Sequence, residues 1–456
     1  TAPTGPKEVR HVIGGNVTKI LSGTDTKQVN GGNSFLQVNA GDMVRSVVGN
    51  LIMSTTNPGV GPPPALKQQG QITIAAANKM NLKSATSMNL QTDFEVKQKE
   101  ASGISPEYVR ISIAAAIELR LKPGRISGCS CNCINLLQNY PQGCYANCTY
   151  CGLARERPGT AEDNSFIRVA WPLYPTDLVA KKIGELENDK SVGRVCVAQV
   201  QDHRANRDLI DITSRVRRHA PEVPISALVT ATLLNEDWLQ RIQNAGADII
   251  GIGLDAASEE VFYQTRGKGT KGPHDWMKHW EIVRKAREMF GPMKVNCHLI
   301  VGLGETDRDL VEMFHMLKSE QVAAYLFSFN PEPGTKMGNT PRVPIARTRR
   351  IQLVKKLIED HELPEFAIQF DESGAISMID APRELLERVT NSGVAFMTDG
   401  CPDRRGEMAC NRPYGSYRPG EEFRDYPFLP STEDLEVIRD EMKLREVAGP
   451  EEITLA

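Results

Sequence analysis

Apolar and polar positions follow two different rhythms along this chain. From Gly15 the text runs GNVTKILS, GTDTKQVNG, GNSFLQVNA, GDMVRSVV and GNLIMS, so a glycine step with Asn or Asp recurs about every eight or nine residues. β-formers alternate between those steps. After a Pro-rich break, GVGPPPALKQQG, the alternation resumes as QITIAAANKMNLKSATSMNLQTDFEVKQK. Short fixed periods with a turn residue at each corner predict a repetitive β-structure whose strands stack on their neighbours. A single strand of this kind cannot bury both faces, so chains that wrap together are expected; a small β-sandwich is the plainer alternative. The segment has few histidines, no cysteine and no carboxylate pair, and no catalytic role is expected of it.

From about Ser105 the rhythm changes. Apolar runs rich in β-branched or aromatic residues appear as CINLLQNY, VGRVCVAQV, PISALVTA, ADIIGIGLD, MKVNCHLIVG and AAYLFSFN. Amphipathic stretches lie between them, among them TDLVAKKIGELEND, NEDWLQRIQNAG, WMKHWEIVRKAREMF and TDRDLVEMFHMLKSE. Strand–helix repetition of this kind predicts a parallel sheet buried on both faces. Six such units give an α/β fold, a partial (β/α)6 TIM-like barrel, whose chemistry gathers at the C-terminal strand ends.

Length and composition sharpen the division. At 456 residues the chain exceeds one ordinary core, and the pattern divides it into a repetitive β-helix-like trimerising segment (1–104), the barrel (105–398) and a loop-rich C-terminal cluster-binding extension (399–456). A formal net charge of −3, with 24% charged residues, gives no electrostatic reason to expect nucleic acid or a membrane surface as main partner. The chain shows no bilayer-length apolar run and no signal peptide, which makes the cytoplasm the default compartment. Its opening on Thr1 rather than Met fits processing or trimming.

Ten cysteines are many for such a compartment, and their placement matters more than their number. Cys129, Cys131, Cys133, Cys144, Cys148 and Cys151 fall in one short stretch, and Cys401 and Cys410 form a second group. Clustering of this kind in a reducing compartment reads as metal ligation. Cys196 and Cys297 stand alone in apolar runs and read as inert core thiols. The motif GCYANCTYCGL sets Cys144, Cys148 and Cys151 on one loop directly after a strand. Three thiolates can hold three irons of a [4Fe–4S] cube, which leaves the fourth iron open to S-adenosylmethionine. Zinc is the competing reading, but it lacks a fourth ligand here.

CxxxCxYC followed by Gly152 resembles the signature of the radical S-adenosylmethionine superfamily, with Tyr150 at its usual aromatic position. That resemblance implies a 5′-deoxyadenosyl radical generated at the cluster. It also implies roles at the strand exits. Gly302, Gly304 and Glu305 in HLIVGLGET resemble the loop beside the adenine. Asp255 is placed to accept from ribose hydroxyls and Arg266 to grip the methionine carboxylate, although Asp255 also reads as a cap for the helix near Ser258. The turn NPEPGTKM, from Asn330, resembles the sixth-strand exit of the biotin synthase branch. His203 and His298 sit at strand ends, where packing is the commoner outcome.

The segment TDGCPDRRGEMACNRPYGSYRPGEEFRDYPFLP has no helix or strand period and needs something to order it. A second, auxiliary [4Fe–4S] cluster held by Cys401, Cys410, Cys133 and Cys131 would do so; a zinc staple on the same cysteines is the alternative. The series CINLLQNYPQGC, SFIRVAWP, GKGTKGPHDW and CNRPYGSYRPG resembles the two-protein, archaeal-type radical lipoyl synthases. The resemblance implies sulfur insertion into a protein-bound octanoyl chain, with sulfur given up by the auxiliary cluster. It implies an octanoyl-lysine carrier (a glycine cleavage H protein or an acyltransferase lipoyl domain), a second radical lipoyl synthase subunit, and an electron donor such as ferredoxin or flavodoxin. Ser416 stands nearest to the serine that ligates the auxiliary cluster in ordinary lipoyl synthase, and Arg412 nearest to the arginine used in biotin synthase. A biotin-synthase-like insertion or a carbon-skeleton mutase such as methylornithine synthase stays open beside the lipoyl reading. The N-terminal segment resembles the trimeric triple-stranded β-helix of phage tail-spike and needle proteins. A homotrimer, and a needle or fusion, natural or engineered, that carries the enzyme domain, are its implications.

Overall fold

The computed structural model describes residues 103–125, 132–159, 166–188, 192–444 and 447. The expected β-helix, Cys129 and Cys131 lie outside the described residues. In chain order the elements begin with β1 (Tyr108–Ile111), α1 (Ile113–Glu118), β2 (Cys133–Leu137), β3 (Leu173–Pro175), α2 (Thr176–Asn188), β4 (Arg194–Ala198) and α3 (Ala205–His219). They continue with β5 (Ile225–Val229), α4 (Glu236–Asn244), β6 (Ile249–Asp255), α5 (Glu259–Thr265), α6 (Trp276–Phe290), β7 (Val295–Val301), α7 (Asp307–Ser319) and β8 (Ala323–Ser328). Last come α8 (Ile345–His361), β9 (Ile368–Phe370), β10 (Ile376–Ile379), α9 (Arg383–Ser392) and α10 (Thr432–Met442).

Strands β2 and β4 to β8 lie side by side in chain order and pair in parallel, which gives the six βα units that the apolar runs predict. Every position of β2 and β4 is buried, as a strand covered on both faces requires. The sheet has eight strands, because β1 and β3 add an antiparallel edge beside β2. At four and three residues those two strands are too short to show a period. Helix ends follow local chemistry. The Asp275 carboxylate accepts from the Lys278 N–H to start α6, and Gly291 (φ 98°) ends it, so α6 spans the stretch read from sequence. Thr306 and Asp309 form a capping box at α7. Among the described residues no helix is long and apolar enough to cross a membrane.

Between Asp399 and Ser431 the chain has no named strand and only one short helical turn, at Pro413–Gly415. Its backbone groups still need partners, and buried arginines of the barrel supply them. Arg349 on α8 donates to the carbonyls of Phe423 (2.6 Å) and Arg424 (2.8 Å) and to the Glu441 carboxylate (2.8 Å). Arg194, at the start of β4, donates to the Pro402 carbonyl (2.6 Å), to Ser226 (2.9 Å) and in a fork to Asp248 (2.7 and 3.0 Å). The Arg194 side chain is 2% exposed and Asp248 40%, so loss of the arginine strands the carbonyl and hydroxyl more than the carboxylate. Arg194→Leu is expected to destabilise the chain by about 2–3 kcal/mol in urea unfolding, with faster proteolysis near Pro402. Unchanged stability would mean that the extension is held elsewhere.

Candidate active site

The loop after β2 carries three of the thiols, and neighbouring strand exits fix its course. Its backbone amides at Tyr145 and Thr149 donate to the carbonyls of Gln201 (2.9 Å) and Thr265 (2.8 Å), and Asn147 Nδ2 reaches the Thr270 carbonyl at 2.7 Å. The chain thus wraps Cys144, Cys148 and Cys151 around one wall of a cavity of about 220 Å³. Burial raises all three thiols, Cys148 to about 12. They are protonated in the bare chain, and ligation would release those protons. Among the described residues no group of three or more His, Cys, Asp or Glu converges to hold one metal ion. Three soft donors on one loop around an open cavity fit a multi-iron cluster, whose ligands stand on separate irons, better than a single zinc.

Tyr150 and Arg266 meet on one carboxylate. The Tyr150 hydroxyl and Arg266 Nη1 both donate to Asp255 Oδ2 at 2.6 Å, and Arg266 also donates to the Gly253 carbonyl. Asp255 does not cap a helix: it closes β6 at a register shift with φ 63°, which turns its side chain toward the cavity. Tyr150, Gly152, Asp255 and Arg266 all line that cavity, and the Nε of Arg266 is buried without a partner. Gly302, Gly304, Glu305 and Asn330 do not. The Glu305 carboxylate accepts from the amides of Gly302 (2.7 Å) and Leu303 (2.8 Å) and pairs with Arg347 (3.1 Å), so it builds its own loop. A Cβ on Gly302 would lie 2.1 Å from Val343. Asn330 is buried and bonds Glu421 (2.8 Å) and Arg418.

The second group of cysteines lies beneath. In CPDRRGEMAC the amides of Ala409 and Cys410 both donate to the Cys401 carbonyl (3.1 and 3.0 Å), closing a loop that sets the two cysteines side by side. Only glycine fits before it, since a Cβ at Gly400 would lie 1.7 Å from the Cys410 oxygen. Cys401 and Cys410 pack with Cys133 and with Cys196. The structure thus brings Cys196, which the sequence sets apart as a lone thiol, into this group. Its place in the third position of an all-buried strand conceals that it faces the end of the barrel closed by the extension. Cys297 is fully buried in the main core, as expected. Thiol donation from Cys133 and Cys196 holds Cys410 well below the usual thiol range, while Cys196 is raised. Asn135 accepts from Cys133 and Cys410 (both 3.8 Å), and Asn296 donates to Cys401 (3.7 Å).

A small cavity beside Cys196, Cys401 and Cys410 is separated from the large one by Leu228, His298 and Arg412, which line both. His298 thus faces the site, whereas the His203 side chain is 74% exposed and lines neither cavity. Burial, then the Arg412 charge, pushes His298 down to about 3. Ser416 lies elsewhere: its hydroxyl donates to Asp425 and accepts from the Ser328 amide (3.0 Å), so the structure brings Arg412, not Ser416, to the thiols.

Sequence reasoning also missed Gln199, Gln201, Arg168 and Glu332 in the large cavity. The two glutamines carry a signal, since polar side chains alternate just after the apolar run Val195–Ala198. Arg168 has none. It sits with Ile167 in a tight turn bridged by Phe166 and Val169, both central residues in the left-handed region (φ 43° and 62°). Its guanidinium bonds the carbonyls of Tyr414 (3.0 Å), Gly415 (2.7 Å) and Asn330 (2.6 Å).

Residues 139–317 match the family model of the radical SAM superfamily, so this stretch is similar to a radical SAM domain. Such a domain implies a [4Fe–4S] cluster and S-adenosylmethionine. Among its relatives is a biotin synthase of Halorhodospira halophila, 26% identical over 218 residues, 47% of this chain and 60% of that protein. An uncharacterized protein of Methanocaldococcus jannaschii is 24% identical over 220 residues, 47% of this chain and 54% of its own length. The chain therefore spans only about three fifths of these relatives. A crystal structure of methylornithine synthase superposes with a TM-score of 0.40 at 11% identity, over 74% of this chain and 87% of that one.

Burial pushes Asp425 up to about 7, against an ordinary 3.8. A carboxyl raised in the folded state contributes stability below about pH 4 that is lost as pH rises through 7. Urea unfolding of the wild type is expected to show that decline between about pH 4 and 7, and Asp425→Asn to flatten it. An equal slope in both proteins would refute the assignment.

Proposed function

We propose that this chain is a sulfur-inserting radical SAM enzyme, a lipoyl synthase component that acts on an octanoyl chain carried on a protein lysine. One observation carries the reading: a three-thiol loop lines a largely apolar cavity, and Leu228, His298 and Arg412 line both that cavity and the small one beside Cys196, Cys401 and Cys410, with which Cys133 packs. Cys144, Cys148 and Cys151 would hold the radical cluster, and Cys133, Cys196, Cys401 and Cys410, with Arg412 beside them, the auxiliary one. When bound, these groups and S-adenosylmethionine supply hydrogen abstraction at an unactivated carbon and a source of sulfur. The chain's own contribution is positional. Phe166, Ile167, Val200, Ile300 and Phe327 give an alkyl chain an apolar path. Tyr150, Asp255 and Arg266 add polar groups to its lining, and Cys144, Cys148 and Cys151 set loop 144–151 along one wall. The carrier protein, a second subunit and a ferredoxin or flavodoxin donor belong to the same proposal. Insertion into a free small molecule is the second reading, favoured by the biotin synthase relatives.

Two measurements test this. After anaerobic reconstitution, about eight irons per chain are expected, and about four in Cys196→Ala or Cys410→Ala. Incubation with an octanoyl-lysine peptide, S-adenosylmethionine and reductant should then add the mass of sulfur to the peptide. Cofactor cleavage with no added sulfur, on a chain that holds only one cluster, would remove the sulfur-insertion reading.

A further inference from the structure

The partition between the two chambers holds one arginine by one protein hydrogen bond. Arg412 Nη2 lies 3.3 Å from His298 Nε2, and among the described residues no other hydrogen bond of its side chain is found; its Nε is buried without a partner. A guanidinium carries five N–H donors, so most of this one is left for acceptors outside the ordinary protein set. Those at hand are sulfurs, since Arg412 lines the small cavity with Cys196, Cys401 and Cys410. The imidazole that fixes it is itself fixed. Its ring stacks on Tyr325 (centroids 6.0 Å apart, 29° between planes) and tilts on Phe327 (5.3 Å). Arg412 lies over the same Phe327 ring at 5.5 Å.

We propose that His298 is a positioning residue: its ring nitrogen accepts from Arg412 and so turns the remaining guanidinium donors onto the four-thiol centre. The inference rests on the reading of Cys133, Cys196, Cys401 and Cys410 as cluster ligands. A hydrogen-bonding cation beside thiolates tunes the potential of the cluster that they hold, so His298 acts on that centre through Arg412 without touching it.

The test isolates the second centre. In full-length chain with Cys144, Cys148 and Cys151 all changed to Ala, only the lower thiols are left to take up a cluster on anaerobic reconstitution with iron and sulfide. His298→Phe keeps a flat ring between Tyr325 and Phe327 but removes the acceptor, whereas His298→Gln keeps an acceptor. The Phe variant is expected to bind as much iron as its parent, with a shifted midpoint potential and altered electron paramagnetic resonance g-values. The Gln variant should return both toward the parent. Identical potential and g-values in parent and Phe variant would overturn the inference. Equal loss of iron from both variants would overturn it too, since that marks a packing role. Failure of the parent to take up iron would remove the second centre itself, and the proposed function with it.

Discussion

A guanidinium that stands against four thiols at one end of a barrel constrains everything around it. Arg412 cannot be left there without acceptors, because an unpaired cation in a low-dielectric site costs several kcal/mol. One acceptor reaches it, the His298 ring nitrogen at 3.3 Å, and the small cavity that it lines with Cys196, Cys401 and Cys410 sets sulfur on its other side. The neutrality of His298 follows from the same contact, since its burial and the adjacent charge both disfavour protonation. Cys410, next but one along the chain, is the thiol drawn down. The wall between the two cavities is thus an electrostatic unit, and the extension that carries Arg412 must be inserted for the barrel to have that wall.

Insertion without a core of its own requires another source of order. The segment from Asp399 to Ser431 is held by donors of buried side chains rather than by a sheet. Arg194 fixes Pro402, Arg168 fixes Tyr414 and Gly415, and Arg349 fixes Phe423 and Arg424. Each arginine starts from a different part of the barrel: the first residue of β4, a turn over the cavity and the helix α8. The extension is therefore registered against three parts of the scaffold at once, which is what two cysteines nine residues apart need in order to meet two more on β2 and β4.

How much of this the sequence could disclose depended on which interactions were local. The six parallel strands and α6 were legible because their periods are long and their caps lie within three residues. The three-cysteine loop was legible because all three thiols fall within eight residues. Cys196 was not, since an apolar strand position gives no sign of what lies against the end of the barrel. Asn330, Gly302 and Glu305 have local motifs, but their contacts with Val343, Arg347, Arg418 and Glu421 come from afar and could not be read from those motifs. The edge strands β1 and β3 were too short to show alternation. The N-terminal rhythm lies outside the described residues.

The turn at Ile167 and Arg168 shows the same economy of position. A β-branched residue at φ 43° followed by an arginine at φ 62° is an expensive way to make a turn, on the order of 1–3 kcal/mol for each such residue. Asn-Gly would adopt it at little cost. What over-determines it is visible: three carbonyls on the Arg168 guanidinium, and the Trp171 indole, which donates to the Phe166 carbonyl at 2.6 Å. Those bonds set Phe166, Ile167 and Arg168 together on the cavity and tie that face to the loop leading back to Arg412. A relaxed turn would present neither side chain. The strain is therefore best understood as the cost of joining the cavity roof to the segment that forms its floor, so that whatever fills the cavity meets both in one fixed relation.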